Sequence, residues 1–233
     1  MRRFALYWKP DAGHPLTEAA AAWFASADAA AWGDVAEARR YGFHATLKAP
    51  FRLAAGGTPE QLQAAATAIA ASRPAFTLPP LRVDLLDGFA ALRADADGEL
   101  QSLADALVMG LDPFRAPLDE ADRRRRRVER LDPPARALLE RWGYPFVLSN
   151  WRFHLTLTGP LSGPPTGPPP GPLTATAIAP SDAIAALARH FAAALREPVR
   201  CDAIHLVGEP DPGADFVDIA RLPLASARAR IGG

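Results

Sequence analysis

The sequence predicts a protein of mixed helices and strands in two lobes related by approximate internal two-fold symmetry. Three observations carry that reading. The text F-H-x-T-L-x-x-P occurs twice, in GFHATLKAP (Gly42 to Pro50) and in RFHLTLTGP (Arg152 to Pro160). Each copy lies in a run of strand character, and each half then follows the same order of helix, strand, turn and strand. Two copies are too few for a solenoid, so a duplicated, two-lobed molecule is the simplest architecture. The motif halves run about 1–112 and 132–233, joined by a charged segment at 113–131.

The elements follow in chain order. RRFALYW is a strand, and a turn through Gly13 and Pro15 leads to the helix LTEAAAAWFASAD. YGFHATLKA is a second strand, closed by Pro50. In TPEQLQAAATAIAAS, Thr58 is the N-cap, Pro59 the first helical residue, and Glu60 and Gln61 fill the first turn. FTLPPLRVDLLDGFAALRAD reads as two strands about Asp87-Gly88, with Pro79 and Pro80 marking an irregular start. GELQSLADALVMGL is a helix. LDEADRRRRRVER and DPPARALLERWG give two short helices, the second capped by Asp132 and stopped by Gly143. VLSNWRFHLTLTG is a strand, and the Pro/Gly tract at 159–172 is a loop or flap. The helix SDAIAALARHFAAALRE and the strands VRCDAIHLVGE and DFVDIARLPL complete the chain.

The 233 residues, 49% hydrophobic, suffice for a sizeable core. Twenty-six basic residues balance 26 acidic ones, which argues against a long phosphate backbone as partner, although a short RNA end or a small anion needs only a few local cations. One cysteine, Cys201, excludes an internal disulfide. The start lacks a secretory apolar region, and no stretch supplies about 18 uncharged apolar residues, so a cytoplasmic protein away from membranes is expected. Of the basic residues 24 are arginine, which makes Lys9 and Lys48 conspicuous.

Alternation along a strand puts His44, Thr46 and Lys48 on one face, with Phe43, Ala45 and Leu47 on the core face. In the second copy Arg152, His154, Thr156 and Thr158 share the polar face. If the two faces meet, the cleft holds two imidazoles and two hydroxyls, the equipment for cleaving a phosphodiester. One neutral ring takes a proton from water or a ribose hydroxyl, and the other, protonated, donates to the leaving oxygen. Thr46 and Thr156 can donate to non-bridging phosphoryl oxygens, and Lys48 and Arg152 can add positive charge. Neither acid nor base needs a metal, and two His-x-Thr units offer too few ligands for zinc.

The paired tetrads His44-Ala45-Thr46-Leu47 and His154-Leu155-Thr156-Leu157 resemble the signature of the two-histidine (2H) phosphoesterase superfamily. YGFHATLKAPF, LLERWGYPFV, FHLTLTGPL and CDAIHLVGEPDPGADFVDIARLPL are similar to a bacterial branch often encoded beside phosphonate-utilisation genes. The resemblance implies a bilobed α+β fold with an antiparallel sheet flanked by helices in each lobe, the chain ends interleaved between lobes. It implies chemistry without metal or other cofactor on a small cyclic phosphate or nucleotide-like ester. His44 and His154 are then catalytic and Thr46 and Thr156 bind phosphate. Two other readings stay open: a 2′,5′ RNA ligase or RNA-end processing enzyme, and a non-catalytic nucleotide-binding module.

His14, His190 and His205 each stand alone and read as structural. Tyr41 and Tyr144 lie beside the motif strands and read as packing residues with a solvated hydroxyl, the functional alternative being a ring that stacks on a base or a hydroxyl that donates to phosphate. Arg123 to Arg127 read as a solvated face paired with Asp119, Glu120, Asp122 and Glu129, the functional alternative being one arginine reaching over the cleft.

Overall fold

The computed structural model describes residues 1, 3–32, 35–95, 98–161 and 179–226; most of the Pro/Gly tract at 159–172 lies outside them. In chain order the elements are β1 (Arg3–Trp8), α1 (Pro15–Ala25), α2 (Ala27–Ala31), α3 (Ala36–Tyr41), β2 (Ala45–Phe51), α4 (Pro59–Ala71), β3 (Phe76–Thr77), β4 (Arg82–Leu86) and β5 (Phe89–Arg93). There follow α5 (Gly98–Gly110), α6 (Glu120–Arg125), α7 (Pro133–Trp142), β6 (His154–Pro160), α8 (Pro180–Phe191), β7 (Arg200–Cys201), β8 (Ala203–Glu209) and β9 (Val217–Pro223). The result is a mixed α/β molecule with a large antiparallel sheet flanked by helices.

The sequence signals act locally as expected. Thr58 and Gln61 close a capping box on α4, Asp132 caps α7 through the Ala135 N–H, and Gly143 ends α7 at φ 79°. The β4–β5 hairpin turns through Asp87 and Gly88, both at positive φ. The β6 strand begins later than its apolar run suggests. Leu148–Asn150 is a 3₁₀ turn with Leu148 at φ 50°, and regular pairing starts only at His154.

The sheet order is β4-β5-β6-β2-β1-β8-β9, so the two motif strands lie at its centre, side by side. One half is β4-β5-β6; the other, β2-β1-β8-β9, pairs the first strands of the chain with the last. One face of both halves packs on the helices through Phe4, Leu6, Trp8, Leu47, Leu92, Leu155, Leu157, Ile204 and Leu206, all buried. Burial of such side chains is the main stabilising term, at about 1.5–3 kcal/mol each.

Between the halves, the β2–β6 ladder records one residue pair, Ala45 with Leu155. Backbone groups beside this seam are satisfied by indoles. The Trp151 Nε1–H donates to the Thr46 carbonyl at 2.9 Å, and the buried Trp23 Nε1–H donates to the Leu157 carbonyl at 2.8 Å. Trp151→Phe keeps most of the packing area but orphans the Thr46 carbonyl. It should cost about 1–3 kcal/mol in urea denaturation while far-UV circular dichroism stays native; an unchanged stability would show that the indole bond does not hold the seam.

Candidate active site

The seam brings the two motifs together. Antiparallel pairing at Ala45 and Leu155 directs His44 toward Thr156 and Thr46 toward His154. Both rings are half-buried on the sheet face away from the helices, and they interact electrostatically. Each Nδ1 lies 2.8 Å from a main-chain carbonyl two residues earlier, His44 from Gly42 and His154 from Arg152. A carbonyl only accepts, so Nδ1–H is the donor in both rings and Nε2 is the free acceptor. At His44 that Nε2 accepts from the Thr46 hydroxyl at 3.1 Å. Gly42 presents its carbonyl from φ 72°, ψ 174°, a conformation open to glycine and costly for any residue with a Cβ.

Neighbours on the next strands fix the rings. Tyr7 of β1 stacks on His44 with ring centroids 3.8 Å apart, and Phe89 of β5 lies 5.8 Å from His154. Arg93 sits directly across from His154 in the β5–β6 ladder. Lys9, just past the pair Trp8 and Ala45 in the β1–β2 ladder, stands in the corresponding place beside His44 and acts on it electrostatically. Each cation is tied to an aspartate, Lys9 to Asp218 and Arg93 to Asp84, both at 2.8 Å. The buried Arg93 Nε has no hydrogen-bond partner among the described residues. Sequence reasoning passed over this pair of cations; the scarcity of lysine was a signal, and it applied to Lys9 as much as to Lys48.

Burial lowers the His44 ring to about 4, with the Gly42 hydrogen bond opposing and the charges of Lys9 and His154 adding. His154 is lowered too, again chiefly by burial, with the bond to the Arg152 carbonyl opposing and Arg152 and Arg93 contributing repulsion. The protein by itself therefore keeps both imidazoles neutral at pH 7.

Lys48 is not brought to this face. Tyr7 pairs with Thr46 but Leu6 pairs with Lys48, so Leu47 is an extra residue on β2 and the alternation flips after Thr46. Lys48 shares the face of Leu6, is 3% exposed, and donates through Nζ to the Val108 carbonyl at 3.0 Å, in the last turn of α5. A cation there satisfies one of the orphan carbonyls of the helix end. Thr158 departs likewise: a register shift in β5–β6 buries it, and its Oγ1 accepts from the Ala90 N–H at 2.9 Å and donates to the Gly159 carbonyl.

Arg152 does reach the cleft, but it is tied to Asp87 in the β4–β5 turn by bonds of 2.5 and 3.2 Å. The two residues line one wall of a cavity of about 160 Å³ with Thr46, His154, Tyr144, Trp151, Phe89 and Phe146. Its polar end holds Thr46 and His154, apolar and aromatic walls extend beyond them, and His44 is not among the lining residues. The other histidines bond within the scaffold: His14 caps α1, His190 lies 2.8 Å from the Ala19 carbonyl, and His205 lies 3.4 Å from Asp218. Among the described residues no cluster of three or more His, Cys, Asp or Glu is arranged to hold a metal, and no helix is long and apolar enough to cross a membrane.

Two measurements check these placements. In NMR titrations the His44 imidazole should protonate near pH 4, well below an ordinary histidine; a midpoint near 6.5 would contradict its burial. Burial also lowers Lys48 to about 8, Asp112 opposing. The folded chain releases that proton before the unfolded chain does, so Lys48 makes stability rise with pH through this window. The gain between pH 7.5 and 9.5 should be smaller in Lys48→Met than in wild type by urea denaturation, and equal gains would reject the assignment.

The chain is 36% identical over 252 residues to the ribose 1,5-bisphosphate phosphokinase PhnN of Janthinobacterium sp. (strain Marseille), covering 99% of this chain and 52% of that protein. It is 34% identical over 183 residues to the PhnN of Laribacter hongkongensis (strain HLHK9), covering 78% of this chain and 39% of that protein. The chain thus spans about half, or less, of the length of these relatives. Among solved structures it is similar to E. coli LigT complexed with NADP+ (16% identity, 96% of this chain, 98% of that chain, TM-score 0.49). The complex of E. coli LigT with 3′-AMP gives 16% identity, the same coverages and a TM-score of 0.47. A family model described as "Protein of unknown function (DUF1045)" matches residues 46–217, which includes the second motif and, of the first tetrad, Thr46 and Leu47 but not His44 and Ala45. By that match across most of its length, the chain belongs to the DUF1045 family.

Proposed function

We propose that this chain is a 2H-type phosphodiesterase that hydrolyses a small cyclic phosphate or nucleotide-like ester. The observation that carries this reading is the matched pair of imidazoles. Each is held in the same tautomer by a carbonyl two residues back, which leaves Nε2 as the acceptor nitrogen, on adjacent strands that also bear Thr46 and Thr156.

The chemistry follows from that arrangement. A neutral Nε2 accepts a proton from water as the water oxygen attacks phosphorus. The bond from phosphorus to the leaving alkoxide breaks as the other ring, protonated at Nε2, delivers its proton to that oxygen. Both rings are held neutral by burial, so the anionic phosphate is what favours protonation of one of them. The threonine hydroxyls donate to the non-bridging oxygens, where negative charge grows in the transition state. Lys9 and Arg93 stand behind the two rings, each partly neutralised by its aspartate. No step requires a metal.

A cyclic phosphoribosyl ester, of the kind met in phosphonate breakdown, is the substrate class we favour. The naming of two relatives as ribose 1,5-bisphosphate phosphokinases supports it, over the part of their length this chain matches.

His44→Ala and His154→Ala should each lower turnover by at least about 10²-fold with native circular dichroism, the range general acid–base catalysis contributes. Wild type should show a bell-shaped pH profile and keep its activity in excess chelator. The decisive screen covers cyclic phosphoribosyl compounds, 2′,3′-cyclic nucleotides and 2′,5′-dinucleotides. Turnover surviving both replacements would reject the assignment, and saturable binding with no product from any compound would make the chain a nucleotide-binding module.

A further inference from the structure

One arginine of the charged segment stands against the cavity wall without a counter-ion among the described residues. In the arginine run, Arg123 pairs with Glu140, Arg124 with Glu120 and Arg125 with Asp122. Arg126 has no carboxylate partner among the described residues. Its half-buried guanidinium lies instead 4.5 Å over the ring of Tyr144, a residue of the cavity wall that also holds Thr46 and His154. A guanidinium partly withdrawn from water with no acid beside it keeps its donors available to an anion.

The surroundings suit an anion. The chain has three tyrosines, and all three converge here. Tyr7 stacks on His44, Tyr41 lies 6.2 Å from the same ring and 5.2 Å from Phe216, and Tyr41 and Tyr144 both act electrostatically on Arg126. Arg3 and Arg40 share the single buried carboxylate of Glu209, so this corner holds one further positive charge in excess. At the other fixed cations of the cleft, Lys9, Arg93 and Arg152, each charge is matched by one aspartate.

We propose that this corner is a second anion subsite, and that the substrate carries a phosphomonoester group, held by Arg126 with the tyrosine hydroxyls, in addition to the diester at the histidines. Tyr41, whose ring stands 6.2 Å from that of His44, joins this corner to the histidines, so both anionic groups can belong to one small molecule. The identity of the first anion rests on the phosphodiesterase reading; the second subsite does not.

Calorimetric titration of the full chain with adenosine 3′-monophosphate and adenosine 3′,5′-bisphosphate tests this without turnover. Wild type should bind the bisphosphate about tenfold or more tightly, as expected for one charge-assisted phosphate contact. Arg126→Gln should bring the two affinities within about twofold of each other, and Arg126→Lys should keep part of the difference, since a point charge replaces the fork. Equal affinities in wild type, binding of neither compound, or a preference that survives Arg126→Gln in a folded variant would overturn the subsite. Failure of the phosphodiesterase reading shows separately, as turnover that persists without His44 and His154.

Discussion

The seam between β2 and β6 is the constraint on which the rest of the structure depends. One recorded pair, Ala45 with Leu155, joins two half-sheets, and it lies between histidine and threonine in both strands. A longer ladder would occupy the backbone groups on either side. Here Trp151 and Trp23 satisfy two of them instead, at the Thr46 and Leu157 carbonyls. Buried carbonyls need partners, and an indole can supply one while leaving the strands free to part. The cavity lined by Leu47, Ala49, Trp151 and Arg152 opens beside that parting.

The same seam explains the duplicated electrostatics. Each imidazole has a main-chain carbonyl on Nδ1, an aromatic ring near it, and a cation from the adjacent strand of its own half-sheet. Each of those cations is restrained by an aspartate. A cation left unpaired at this range would hold a phosphate product as firmly as a substrate, whereas an ion pair offers a weaker, oriented field. The two halves are not identical. Positive charge is in excess around Glu209, whose carboxylate takes both Arg3 and Arg40, and His154 opens into a cavity with apolar and aromatic walls, one of which, Tyr144, lies under Arg126.

Much of this architecture is legible in the residues. Thr58, Asp132 and Gly143 mark helix ends through local hydrogen bonds and positive φ, and Asp87-Gly88 marks a hairpin because few other pairs tolerate its turn. The doubled F-H-x-T-L text locates both histidines and both threonines, which share a face over the two or three residues where alternation is undisturbed. Legibility fails at Lys48 and Thr158 for one physical reason. Extra residues break the alternation, one on β2 between Thr46 and Lys48 and two on β6 between Thr156 and Pro160, and nothing in ATLKAP or LTLTGP announces them.

The sequence by itself determined the local vocabulary: which segments coil, where they stop, and which two short strands repeat the His-x-Thr text. These depend on interactions within a few residues of one another. Only the tertiary structure decided that the motif strands lie side by side, that Lys48 caps a helix rather than facing the cleft, and that Lys9, Arg93 and all three tyrosines gather around the histidines. Those placements depend on register and on contacts between residues far apart in the chain. Such contacts leave no periodic trace, because packing constrains the neighbours in space and not the neighbours in sequence.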